Sequence, residues 1–418
     1  MDAFNFWRER AKQGFHAWAQ ALEAQLPQVG DAQRVLSLRL DRKQLAEQFQ
    51  RANPKGPLYG VPFLLKDLFD VAGYPTHASS TFLSEVRGLP SEDSAVYARA
   101  VELGGVFCGK THMNEFAYGL TGENPHYGDC PHPQDPDRMS GGSSSGSAYA
   151  VAESWVPLAF GTDSGGSVRV PASWCNLYGV RLTPGLWTSP GCFPLGPSFD
   201  TIGWFTRDAE SMRSSIGYWL EDEGTTTNTI QAGFYDFAGA VEAPVQSACK
   251  ELAQLLPVTL TNLGETDVPD PIQGDCFNAY HILQSGEAHQ VHEAWLDSFQ
   301  DNYDPGVLNR LRQGGSWTAK EREWALGIQS QLKAWFQNFF DNNDCLILPT
   351  VPFPALEFSQ SSDAKRKHMM TLTTPASICG LSSLVIPARL SSGLTVGLQI
   401  LTPQPAPRVW ARLLKAFE

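Results

Sequence analysis

Residues 140–171 read SGGSSSGSAYAVAESWVPLAFGTDSGGSVRVP, and the rest of the chain is best read outward from them. Two Gly/Ser-rich clusters, Gly141–Ser147 and Gly161–Ser167, flank a run of small residues and an apolar segment, Val156–Phe160. Small residues let the backbone approach a ligand closely, and glycine reaches φ > 0 without a Cβ penalty. Two such clusters, each carrying serines, predict a site where hydroxyls and backbone N–H groups converge.

Composition sets the bounds. A chain of 418 residues, 42% hydrophobic, is within reach of one large α/β domain. Only 18% of the residues are charged, while Gly numbers 37 and Pro 29, which fits a loop-rich enzyme rather than a helical scaffold. The net charge of −13 argues against a nucleic-acid partner. No apolar run approaches the roughly 18 residues of a membrane span. The first residues, MDAFNFWRERAKQGFHAW, place aromatics at helical spacing and lack the apolar core of a signal peptide. The eight cysteines are scattered without a CxxC pair, as expected of reduced thiols in a cytoplasmic protein without structural zinc.

Upstream, residues 1–52 read as helices, with Leu36, Leu38, Leu40 and Leu45 offering an apolar face. Turn chemistry at Pro57–Pro62 leads into a strand, Phe63-Leu-Leu-Lys66-Asp67. A lysine closing an apolar strand is unusual. On the residues alone it reads as an edge residue whose ammonium snorkels to solvent. Were it buried beside Leu64 and Leu65 its pKa would fall, and strand alternation sends Asp67 to the other face. Residues 91–103 read as a helix capped by Ser91 or Asp93. The run Gly104–Thr111 satisfies the P-loop pattern, but the order is inverted, and Val106-Phe-Cys108 is itself the expected strand. Gly142-Ser-Ser144-Ser-Gly146 satisfies a nucleophile elbow, yet loop residues rather than a strand precede it. Ser247-Ala-Cys-Lys250 is a bare SxxK on a surface helix. Residues 208–345 read as helical and polar. Trp324, Ile328, Leu332, Trp335, Phe336 and Phe339 form a packing stripe there. His281, His289 and His292 are read as surface-helix residues rather than metal ligands, for want of acidic or cysteine partners.

The two clusters resemble the signature of the amidase signature family, the Ser-cisSer-Lys amide hydrolases. Gly141-Gly-Ser143-Ser144 and Gly161-Thr-Asp163-Ser164-Gly-Gly-Ser167-Val-Arg169-Val-Pro171 match its two halves. Gly60-Val-Pro62-Phe-Leu-Leu-Lys66-Asp67 matches its lysine segment. Departures are Ser145 where glycine is usual, His112 and Asn114 in GKTHMNEF, and Arg181 where lysine is usual. The match is strong over 57–207, weak over 208–340 and moderate over 341–418.

The resemblance implies an α/β amidase signature fold, a large mixed β-sheet flanked by helices on both faces. It implies one domain over residues 1–418: N-terminal helices over 1–56, the signature core over 57–207, a variable helical substrate-pocket region over 208–340, and a C-terminal return over 341–418. It implies that Ser167 is the nucleophile, Ser143 a bridging serine after a cis Gly142–Ser143 peptide, and Lys66 the base. The amides of Ser164, Gly165 and Gly166, with that of Ser167, are expected to form an oxyanion nest. Ser144 and Thr162 are expected just behind the reacting atoms, and Asp200 on nearby backbone. Arg169 either braces the nucleophile loop or meets an acidic substrate group. No metal or cofactor is required. The implied partner is a small amide, such as a malonamate-like or ureide-like acid amide, and a homodimer is left open. Two rivals are a glutaminase subunit delivering ammonia to a partner and an idle family member serving as a scaffold. The intact Lys66, Ser143 and Ser167 argue against the second.

Overall fold

The computed structural model describes residues 3–31, 33–188, 190–220 and 229–418. Its frame is an eleven-stranded mixed sheet. In chain order the strands are β1 (Leu36–Arg39), β2 (Pro62–Lys66), β3 (Val106–Thr111), β4 (Leu158–Thr162), β5 (Tyr178–Arg181), β6 (Ile202–Thr206), β7 (Ile230–Phe234), β8 (Val258–Asn262), β9 (Cys345–Pro349), β10 (Ser382–Arg389) and β11 (Thr395–Thr402). They lie in the order β1-β3-β2-β4-β6-β5-β10-β11-β9-β7-β8. This is the expected α/β architecture. β2 runs parallel to both β3 and β4, and β4 then pairs antiparallel with β6. Strands β2, β4, β6 and β9 are buried along their whole length, so both faces of the central sheet are covered.

Register brings the two serine clusters to the lysine. Phe63, Leu64 and Leu65 pair with Leu158, Ala159 and Phe160. Lys66 therefore ends its strand beside the end of β4, where the second cluster begins. The first cluster opens the helix Ser145–Ala152, which packs on β4 and β2. That approach is close: a Cβ on Gly161 would stand 2.5 Å from Ser144 Oγ. Ser145, the departure from glycine, is helical and has no positive φ. The Gly142–Ser143 peptide is cis.

The structure corrects three expectations. Residues 1–52 are not all helix, because Leu36–Arg39 forms β1, paired antiparallel with β3. The region 208–345 supplies β7 and β8 to the far edge of the sheet. β8 is half exposed and polar at every second position, a pattern that turn-rich sequence easily conceals. The helix after residue 91 is capped by Ser94, whose side chain accepts from the Tyr97 amide. Asp93 accepts from the Ala72 amide instead.

A buried charge cluster ties the loop after β4 to the C-terminal elements. Asp163 Oδ2 and Oδ1 accept from Arg169 Nε and Nη2, each at 3.0 Å. Arg169 also donates to the Thr373 carbonyl (2.9 Å), Gln399 Oε1 (3.1 Å) and Ser377 Oγ (2.9 Å). A second guanidinium, Arg181, stands 3.4 Å from Asp163 Oδ1 and donates to the Leu381 carbonyl. Burial pushes the Asp163 carboxyl up, but Arg169, Arg181 and backbone N–H groups outweigh it and hold the carboxyl well below the usual range. A bidentate buried pair is costly to break on one side only. Arg169→Met should therefore lower the unfolding free energy by about 3–5 kcal/mol, measured by urea denaturation. An unchanged midpoint would show that the brace is not structural.

Candidate active site

Lys66 closes β2 with its ammonium fully buried. Its Nζ lies 2.7 Å from Ser143 Oγ and 2.8 Å from Thr162 Oγ1. Both partners are neutral hydroxyls. Burial pushes the Lys66 pKa down to about 7, against a weaker opposing pull from Cys192, Asp163 and Asp200. Asp67, the next residue, does not neutralise it. Asp67 Oδ1 faces Lys110 Nζ at 3.4 Å and Oδ2 faces His77 Nδ1 at 3.3 Å. Lys110 in turn donates to the Pro75 carbonyl and Thr76 Oγ1. The lysine of the P-loop-like run is thus buried in an internal ion pair rather than offered to a phosphate.

The two clusters meet directly. The Ser144 amide donates to the Ser167 carbonyl at 3.2 Å. Ser144 Oγ accepts from the Thr162 amide at 3.3 Å and donates to its carbonyl at 3.2 Å. Ser144 therefore fastens the first cluster to the end of β4. Asn114 supports the cis turn from behind: its Oδ1 accepts from Gly122 N, and its Nδ2 donates to the Glu123 carbonyl. His112 is set apart, bonded through Nδ1 to Ser79 Oγ and stacked on Tyr127. Burial brings its pKa down to about 4.

Ser167, 3% exposed, lines a narrow cavity of about 30 Å³ with Ser164, Gly165, Leu195, Tyr280 and Arg366. Tyr118, Gly119 and Arg366 are shared with a larger polar cavity of about 330 Å³. Among the described residues, the amides of Ser164, Gly165 and Ser167 are the ones in the loop 163–169 that have no protein acceptor. The Gly166 amide departs from the expected nest, because it donates to Asp163 Oδ1 at 2.7 Å. Gly166 has φ +131, and a Cβ there would stand 3.0 Å from Thr373 Oγ1. The glycine serves the turn and the close approach of Thr373.

Arg169 resolves its two alternatives in favour of bracing, since its guanidinium is fully buried on Asp163. The surface reading of the three histidines needs correction. His292 is buried, with Nδ1 2.9 Å from Tyr303 Oη. His281 stacks on Phe277 and lines the Ser167 cavity. His289 is partly buried and faces the Leu311 carbonyl. Among the described residues no group of three His, Cys, Asp or Glu is arranged to hold a metal ion. Sequence reasoning misses Tyr280, Thr373 and the Ser164–Asp200 bond. The serine and aspartate lie in stretches that the motifs single out, but 36 residues separate them. Chemically, a low-pKa amine against one serine and a set of amides without protein acceptors beside another is suited to moving a proton and stabilising an oxyanion.

A family model described as Amidase matches residues 32–406. The chain is 29% identical over 376 residues to Amidase 1 of Oryza sativa subsp. japonica, with 82% of this chain and 86% of that protein covered. It is 28% identical over 408 residues to a glutamyl-tRNA(Gln) amidotransferase subunit of Clostridium botulinum, with coverage of 86% and 83%. A solved amidase structure superposes with a TM-score of 0.84 at 28% identity, covering 98% of each chain. Among the described residues no helix is long and apolar enough to cross a membrane. With the fold, the paired serine clusters and the family match in agreement, the chain belongs to the amidase signature family of hydrolytic enzymes.

Proposed function

We propose that the protein hydrolyses the C–N bond of a small amide through an acyl-enzyme on Ser167. The observation that carries this reading is the buried contact of Lys66 Nζ with Ser143 Oγ at 2.7 Å, where both hydrogen-bond partners of the amine are uncharged. A neutral Lys66 takes the Ser143 proton. Ser143 takes the proton of Ser167, whose Oγ attacks the amide carbonyl. The amides of Ser164, Gly165 and Ser167 receive the oxyanion. The relay then reverses, the leaving nitrogen is protonated and departs as ammonia or amine, and water releases the carboxylate by the same steps. The narrow cavity at Ser167 and the polar lining beyond it favour a small, polar amide.

A second reading is supported by the relative from Clostridium botulinum, which is part of an amidotransferase. In it, the ammonia passes to a partner chain instead of to solvent. Light scattering of the purified protein separates the two: steady turnover by a species containing this chain alone favours the free-standing amidase.

Two outcomes are expected. Lys66→Ala and Ser167→Ala should each lower kcat/KM for ammonia release by about 10⁴-fold or more, with unchanged circular dichroism. Full activity in either folded variant overturns the mechanism. The base acts only when unprotonated, so log kcat/KM should rise with pH and level off above about 7. A profile flat from acid to neutral pH would mean that Lys66 does not gate the reaction.

A further inference from the structure

Asp200 has no part in the relay just described, yet it joins two walls of the Ser167 cavity. It sits one residue short of β6, whose first residues pair with the end of β4. The Asp163 amide donates to the Thr201 carbonyl at 2.9 Å, which brings Asp200 alongside the start of the second serine cluster. Ser164 Oγ donates a hydrogen bond to Asp200 Oδ1. Asp200 Oδ2 accepts from the amides of Leu195 (2.8 Å) and Gly196 (3.1 Å). Leu195 and Ser164 both line the cavity that holds Ser167. One buried carboxylate, 8% exposed, therefore fixes the side chain of the residue whose own amide is free for the oxyanion. The same carboxylate pins the loop that faces it.

We propose that Asp200, acting through the Ser164 hydroxyl, is a positioning residue that aims the Ser164 and Gly165 amides at the tetrahedral intermediate. This rests on the amide-hydrolase reading of Ser167. The physical argument is that an oxyanion hole works only if its donors are held in place before charge develops. The loop 163–167 has no regular secondary structure of its own. Its far side is held by Asp163 through Gly166 N and by Thr373 Oγ1, which donates to the Gly165 carbonyl at 2.6 Å. Its near side is held by the Ser164–Asp200 bond. Burial pushes the Asp200 carboxyl up to about 6, and the bonds from Ser164, Leu195 and Gly196 oppose that rise, so it is an acceptor at neutral pH.

The role predicts an effect on the transition state and not on ground-state binding. Ser164→Ala leaves the Leu195 and Gly196 bonds to Asp200 intact. It should lower kcat on a short amide by about 10-fold, less than the loss of an oxyanion donor itself, with KM nearly unchanged. Affinity for a small alkylboronic acid, whose tetrahedral adduct on Ser167 occupies the oxyanion site, should fall by the same factor. Ser164→Thr, which keeps the hydroxyl, should recover most of the lost rate. Asp200→Asn, whose remaining oxygen can still accept from the Leu195 and Gly196 amides while an NH2 replaces the oxygen that Ser164 bonds, should also lower kcat. In the double variant the two losses should not add, because both act on one contact. An unchanged kcat and boronate affinity in folded Ser164→Ala overturns the positioning role while leaving the hydrolase reading intact. A wild-type protein that neither turns over amides nor binds the boronate defeats the hydrolase reading, and the positioning role falls with it.

Discussion

The structure depends on keeping one ammonium group out of water with only hydroxyls bonded to it. Lys66 is fully buried, and its hydrogen-bond partners are Ser143 and Thr162. An ammonium so placed loses its hydration without gaining a contacting counter-charge, which is why burial dominates its lowered pKa. The fold secures this by geometry. Parallel pairing of β2 with β4 delivers Lys66 to Thr162. The adjacent aspartate is diverted to Lys110 and His77 on the other side of the strand.

Charge and neutrality are divided between two neighbouring clusters. The Asp163–Arg169–Arg181 group is ionised and fully buried, and it serves as scaffold. The Lys66–Ser143–Thr162 group is built from hydroxyls and an amine that burial brings near neutrality. The loop that carries Ser167 lies between them. Asp163 consumes the amides of Gly166, Val168 and Arg169, and so decides by exclusion which amides of the loop stay free. A buried ion pair is weak evidence of net stability but a good device for fixing one conformation, which is what a row of oriented amides requires.

The core of the site is legible in sequence because its chemistry is local. Residues 60–67 and 140–171 carry the lysine, both serines and the small residues that allow close approach. The resemblance they bear assigns the sheet-based fold correctly. Most of what sequence does not reveal depends on how side chains meet in space, often across long stretches of chain. Arg169 has two open roles in the sequence, and Thr373 and Gln399, which surround it in space, decide for bracing. Gly166 lies among the expected oxyanion donors, and only the Asp163 carboxylate three residues earlier shows its amide to be occupied. His292 reads as a surface residue in sequence for want of an acidic or cysteine partner pattern. Phe116 and Phe193, distant in the chain, and Tyr303, 11 residues on, enclose it. Strand β8 escapes sequence reading because a short edge strand alternates polar residues among helical neighbours, and β7 because a short run broken by Gln231 and Gly233 carries little periodicity.

In the proposed mechanism, burial of Lys66 activates Ser167 through Ser143. The rate of covalent labelling of the intact protein by a small fluorophosphonate, followed by mass and mapped to a peptide at a series of pH values, tests it most directly. One adduct is expected, on Ser167, forming faster as pH rises through about 7, with labelling nearly absent in Lys66→Ala. Labelling on Ser144, or labelling of Ser167 at a rate indifferent to Lys66, would contradict it.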